Sequence, residues 1–175
     1  MTEVLDPQTD ALAAMDEAAR PRKEHEWLRQ FVGEWTYEMT FEEPGKPPTT
    51  LGGTGVTRAL GELWTISEGE GEMPGGDTSK MVTTLGFDPQ KGRFVGTWLG
   101  TMMSYLWVYD GFLDADEKVL TLESTGPSMS KPGEMGQFRD IITVIDQDYH
   151  TMTGNFLGDD GSWNEMMKMH FRRKK

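Results

Sequence analysis

From Gly33 onward the chain alternates. Trp35, Tyr37, Met39 and Phe41 are separated by Thr36, Glu38 and Thr40, a period of two that puts four large apolar residues on one face of a strand. The cluster Pro44-Gly45-Lys46-Pro47-Pro48 ends this run. Further strands are predicted over Thr49–Leu60, Leu63–Met73, Lys80–Asp88, Arg93–Thr101, Tyr105–Leu113, Val119–Thr125, Gln137–Asp146, Tyr149–Leu157 and Ser162–Arg172. Gly61-Glu62, Pro74-Gly75-Gly76-Asp77, Asp88-Pro89, Asp114-Ala115-Asp116, Asp146-Gln147-Asp148 and Asp159-Asp160-Gly161 supply the residues that hairpin turns require. Only Gly126–Gly136 is longer than a hairpin needs.

Helical spacing is confined to the start of the chain. Thr9-Asp10 is predicted to cap a helix from Ala11 to about Arg20, with Leu12, Met15 and Ala19 on one side and Pro21 as its stop. A second stretch, Lys23 to Phe31, sets Trp27, Leu28 and Phe31 at helical spacing. Residues 1–8 carry too little apolar area to offset the entropy of ordering and read as a disordered tail. The organisation is therefore a tail (1–8), a helical segment (9–32) and one β domain (33–175), without internal repeat or linker.

Ten strands in a row with short connections predict an all-β fold: a ten-stranded, up-and-down antiparallel barrel with a short N-terminal helical plug. An open sheet of that length leaves two raw edges, and closure removes them. A flattened β-sandwich is the structural competitor. A barrel of ten strands is wider than side chains alone fill, so a guest molecule has room.

Composition agrees with short strands and tight turns, since 21 glycines accompany six tryptophans. The 13 methionines fill irregular space, and such side chains also line adaptable cavities. Charge narrows the partners: Lys+Arg total 17 and Asp+Glu 29, a net charge of −12 that repels nucleic acid and anionic membrane. With no cysteine, disulfides and thiolate nucleophiles are excluded. Met1-Thr2-Glu3-Val4-Leu5-Asp6 lacks a basic and then apolar leader, and no apolar run reaches the roughly 18 residues of a membrane helix. The expected location is cytoplasmic.

Candidate chemistry lies on the strand faces. Phe94, Trp98 and Met102 are co-facial by even spacing, as are Tyr105, Trp107 and Tyr109; inside a barrel they would accept a flat or apolar molecule. Arg139 shares a face with Ile141 and Ile145, and Glu165 shares one with Trp163, Met167 and Met169. A charge on an apolar face must be paired or serve a ligand, because lone burial costs several kcal/mol. Arg139 is thus a candidate for a ligand carboxylate and Glu165 for a donor, with an internal salt bridge or a strand end in water as the alternatives. Glu123 alternates with Leu120 and Leu122 and is expected outside. His170 sits with Asn164, Lys168 and Arg172 and points outward, so neither haem nor another metal is expected, and no cofactor. No Gly-x-Ser-x-Gly motif occurs, and no catalytic residue is assigned. The basic run Arg172-Arg173-Lys174-Lys175 is read as keeping the last strand soluble.

Gly33-Glu34-Trp35, after a short helix and opening the first strand, resembles the Gly-x-Trp signature of lipocalins and the wider calycin superfamily. Leu85-Gly86-Phe87-Asp88-Pro89 through Arg93-Phe94-Val95-Gly96-Thr97-Trp98, Leu106-Trp107-Val108-Tyr109-Asp110-Gly111, Leu120-Thr121-Leu122-Glu123 and Glu165-Met166-Met167-Lys168 add to it in order and spacing. Over about residues 24–175 the chain resembles the bacterial domain of unknown function 1579 family. The resemblance implies a calycin-like barrel and no particular activity. Pro127 to Gly136, with Met129, Pro132 and Met135, departs from the short polar connection expected there.

Three functions stay open at this stage. The first is non-catalytic carriage or sensing of a small, largely apolar molecule in the lumen. The second is a hydratase or isomerase in which Arg139 or Glu165 acts on an apolar substrate. The third is an interaction module, a homodimer formed through strand faces.

Overall fold

In a computed structural model, which describes residues 7–41 and 47–175, the alternating segments pair in chain order and close on themselves. The strands are β1 (Gly33–Phe41), β2 (Thr49–Leu60), β3 (Trp64–Glu72), β4 (Thr78–Asp88), β5 (Arg93–Gly100), β6 (Trp107–Leu113), β7 (Val119–Pro127), β8 (Met135–Asp146), β9 (Tyr149–Leu157) and β10 (Trp163–Arg173). β1 pairs antiparallel with β2 on one side and with β10 on the other, Trp35 standing opposite both Gly55 and Arg173. That unbroken ring excludes the sandwich. Register slips twice, between Val144 and Asp146 on β8 and between Glu165 and Met167 on β10.

The helical segment splits into a free part and a plug. Helix α1 (Pro7–Ala18) begins at Pro7, so Thr9 and Asp10 lie within its first turn rather than ahead of it; proline has no N–H to lose at a helix start. Leu12 and Met15, on its predicted apolar side, remain 61% and 68% exposed. Residues 1–6 of the predicted tail, and residues 42–46 with most of the Pro/Gly cluster, lie outside the described residues. No helix among the described residues is long and apolar enough to cross a membrane.

Helix α2 (Lys23–Leu28) and the 3-10 turn Arg29–Phe31 stopper one end of the barrel. Leu28 and Phe31 join Leu85, Phe94, Tyr109, Leu120 and Leu122 in one buried cluster. Polar contacts fix the plug's orientation. His25 accepts the Arg22 backbone N–H at Nδ1 (2.9 Å) and donates from Nε2 to the Phe87 carbonyl (3.1 Å), which sets its tautomer. Trp27 donates to the Glu117 carbonyl at 2.8 Å, and Trp35, beneath the plug, to the Phe31 carbonyl at 2.8 Å.

The terminal basic run does more than keep a strand soluble. The Arg173 guanidinium donates to the carbonyls of Val32 (2.8 Å), Gln30 (2.7 Å) and Gln147 (3.0 Å) and lies 4.2 Å from the Trp35 ring centroid. Carbonyls at the end of the plug have no partners within their own turn, and a planar five-donor head satisfies several at once.

Candidate functional site

The lumen is lined by both sealed and half-buried side chains. Toward the plug, Leu85, Phe94, Leu120 and Leu122 are buried almost completely. Met81, Thr83, Trp98, Trp107, Met152 and Met167 also face inward, yet each stays only half-buried, Trp98 against the plug-side cluster. A methionine-rich cluster of Tyr37, Met39 and Met169, with Met81, Met152 and Met167 against it, lines part of this wall.

One patch of the wall carries the polar chemistry. Trp107 and Tyr109 project inward from β6, and Phe138 and Asp140 from β8, each pair two residues apart on one face. They meet across β7. The Trp107 and Phe138 rings stand edge to face with centroids 4.7 Å apart, and the Tyr109 hydroxyl donates to Asp140 Oδ2. β7 permits the crossing because it presents only Gly126 and Ser124 there. A Cβ at Gly126 would overlap the Trp107 ring.

Asp140 is the unusual group. It lies deep in the barrel, so the area that leaves it half-buried is interior area. Burial pushes its carboxyl up to about 6, against a smaller opposing effect of the Tyr109 hydrogen bond. Burial, helped by the neighbouring Asp140, holds the Tyr109 hydroxyl well above its ordinary range. No described residue donates to the second carboxylate oxygen, and no cation faces it.

Beside this patch the barrel wall opens. β6 pairs with β7 only where Asp110–Leu113 meets Leu120–Glu123; beyond that, β7 is held by β8 alone. Tyr105, Val108, Ser124 and Gln137 border the resulting slot, a cavity of about 450 Å³. The Tyr105 hydroxyl spans it, donating to the Thr125 carbonyl at 2.9 Å. Val108, Asp110, Glu123, Thr125 and Gln137 are on the outer face, so the slot is a groove in the outside of the wall with the inward-facing, buried Ser124 at its floor. A smaller cleft of about 230 Å³ lies where the plug meets the barrel, bordered by Lys23, Trp27 and Glu117 and, from the inner face of the wall, by Phe87, Phe94 and Leu113.

Of the sequence-predicted site residues, Phe94, Trp98, Trp107, Met167 and Met169 face the lumen, Phe94 within the solid core near the plug. Three expectations are corrected. Met102 is exposed in the turn after β5, which ends at Gly100, so even spacing no longer applies to it. Arg139 does share a face with Ile141 and Ile145, but that face is outer. Its guanidinium donates to Glu123 Oε1 at 2.8 Å and lies 4.0 Å from the Trp163 ring centroid. Glu165 is exposed because the bulge at Met166 adds a residue and separates it from the face of Met167 and Met169.

The histidines divide by face. His170 is on the outer side, 2.7 Å from the Tyr149 hydroxyl. His150 is buried between Trp35 and Phe171, stacked on the latter at 4.6 Å between centroids. Burial, with the Arg173 charge adding to it, pushes His150 down to about 4. Among the described residues no three acidic or histidine side chains gather as a metal site.

A closed up-and-down ring of ten strands, stoppered by a helix, is a calycin-like barrel. The chain belongs to the family described as Protein of unknown function (DUF1579), which it matches over residues 20–173. Among solved structures it is similar to Rv2717c from M. tuberculosis, at 12% identity and a TM-score of 0.63, covering 89% of this chain and 100% of that one. It is also similar to the S-type phycobiliprotein lyase CPES from Guillardia theta, at 11% identity and a TM-score of 0.57, covering 92% and 97%. These likenesses show the barrel fold. No curated protein matches the chain.

Proposed function

We propose that the barrel binds one small, largely apolar molecule beyond the plug, as a carrier or sensor. The carrying observation is that Met81, Trp98, Met152 and Met167 keep accessible area while facing inward. Aromatic faces shape a flat or chain-like guest, and methionines adapt to it. The proposed way in is the stretch where β6 and β7 no longer pair, beyond Asp110 and Glu123, which leaves the plug seated. Arg139 and Glu165 take no part, being on the outer face.

Burying about 300 Å² of guest surface at about 25 cal/mol per Å² yields ~7.5 kcal/mol before association costs, short of the ~8 kcal/mol of micromolar binding, so apolar burial alone gives weaker affinities. Titration with fluorescent hydrophobic probes, monitored through tryptophan emission, tests the reading. Saturable binding at one site per chain, with most of the tryptophan signal lost in Trp98→Leu, is the expected result. A protein that saturates with no apolar compound refutes it.

A further inference from the structure

Resting on that reading, we infer that the guest carries a basic nitrogen: the lumen is built for an apolar skeleton bearing a single protonated amine, held at the free oxygen of Asp140 beneath the Trp107 and Phe138 rings. Three observations converge. Asp140 uses one oxygen for the Tyr109 hydroxyl and leaves the other without a donor among the described residues. Among the described residues nothing around it neutralises the charge: its pair partners on β7 and β9 are Leu122 and Gly154, the Tyr109 side chain is neutral, and Met167 packs over Gly154 from β10. The nearest arginine in sequence, Arg139, is turned outward and committed to Glu123. A carboxylate left in such a place is stabilised most by a charge-assisted donor that arrives with the guest.

The aromatic pair supplies the second half of the recognition. Trp107 and Phe138 stand one pleat above Tyr109 and Asp140 on the same two strands. Their ring faces and edges suit the carbon atoms next to an ammonium group, where cation–π attraction operates out of water. Hydrogen-bond capacity also discriminates. With Tyr109 already donating to Asp140, this patch offers an acidic guest no cation, whereas an ammonium finds an acceptor.

The test compares decylamine, decanol and decanoic acid on the whole chain by calorimetry. High salt is used, because an outer surface of net charge −12 attracts amines in a salt-screened way and an interior carboxylate does not. Decylamine is expected to bind about tenfold or more tightly than decanol, with decanoic acid weakest. Asp140→Asn is expected to abolish that order while keeping decanol affinity within about twofold; it retains the Tyr109 acceptor and removes only the charge. Acidification through about 6 should weaken decylamine in the same way and leave decanol unchanged. Equal affinity for amine and alcohol in the native protein, or an amine preference that survives Asp140→Asn, overturns the amine assignment while lumen binding stands. Failure of all three compounds to bind overturns both.

Discussion

Acid acts on this barrel through two interior groups in opposite directions. The Asp140 carboxyl titrates near about 6 in the fold against an ordinary 3.8. Between those values the folded protein holds a proton that the unfolded chain has released, so this group adds stability as the pH falls from about 6 toward 3.8. At 1.36 kcal/mol per pH unit the full effect is about 3 kcal/mol. His150 does the reverse. Its folded value of about 4 lies below the ordinary 6.5, so the unfolded chain takes the proton first. Its contribution is complete above 6.5 and is lost as the pH falls toward about 4, again about 3 kcal/mol. The two windows nearly coincide, and in the native protein the two effects largely cancel.

Single substitutions unmask them. Asp140→Asn should stabilise the protein at neutral pH by up to about 3 kcal/mol and leave the His150 loss unopposed on acidification. His150→Phe, which keeps a ring against Trp35 and Phe171, should instead gain stability as acid is added, relative to the native protein. Urea unfolding followed by tryptophan emission at a series of pH values reads this directly. With a urea slope of about 2 kcal/mol per M, 3 kcal/mol moves the midpoint by roughly 1.5 M. The other carboxylates contribute equally to all variants and drop out of the comparison. If both variants track the native midpoint from pH 6.5 to 4, these groups do not titrate as the interior requires and the reasoning fails.

Tyr37→Phe should raise stability by about 1 kcal/mol in chemical denaturation, because the buried Tyr37 hydroxyl has no hydrogen-bond partner among the described residues; a loss would mean that it has one. Gly126→Val should cost about 1–3 kcal/mol and shift tryptophan emission, since the new side chain displaces the Trp107 ring; a neutral change would show that the ring does not lie over β7. Arg139→Ala should change ligand affinity less than about twofold and stability by under about 1 kcal/mol, as expected for a half-exposed pair with Glu123. Tyr105→Phe, which removes the hydroxyl spanning the slot, should speed ligand release in stopped-flow measurements at little cost in melting temperature.

The barrel was legible because period-two alternation and turn residues both recur along the chain, and each strand from β1 to β10 lies within a few residues of its predicted place. Face assignment was harder. On β8 both faces are apolar, Ile141 and Ile145 on one and Phe138, Ile142 and Val144 on the other, so alternation alone cannot say whether Arg139 or Asp140 enters the lumen. The aromatic Phe138 was the available signal that its own face is the inner one. On β10 the bulge at Met166 shifts the phase midway, and a strand read as one unbroken period misplaces Glu165. The α1 helix shows the converse: apolar spacing was present, but Leu12 and Met15 stay exposed. Crossings such as Trp107 to Phe138 over Gly126 join strands that are not neighbours, and no local pattern announces them.

The seam between β1 and β10 has a consequence for how the molecule comes into being. A chain emerging from its N-terminus can add hairpin to hairpin up to β9, but that assembly is an open sheet whose first and ninth strands both present bare edges. Bringing Trp35 opposite Arg173 joins the two ends of the domain, the most non-local pairing in the sheet and one that forms late for that reason. The same residue that completes the seam grips the carbonyls of Gln30 and Val32, so firm seating of the N-terminal stopper awaits the C-terminal strand. Maturation is therefore concentrated in one late step, before which the methionine-lined interior is open to water and to other chains.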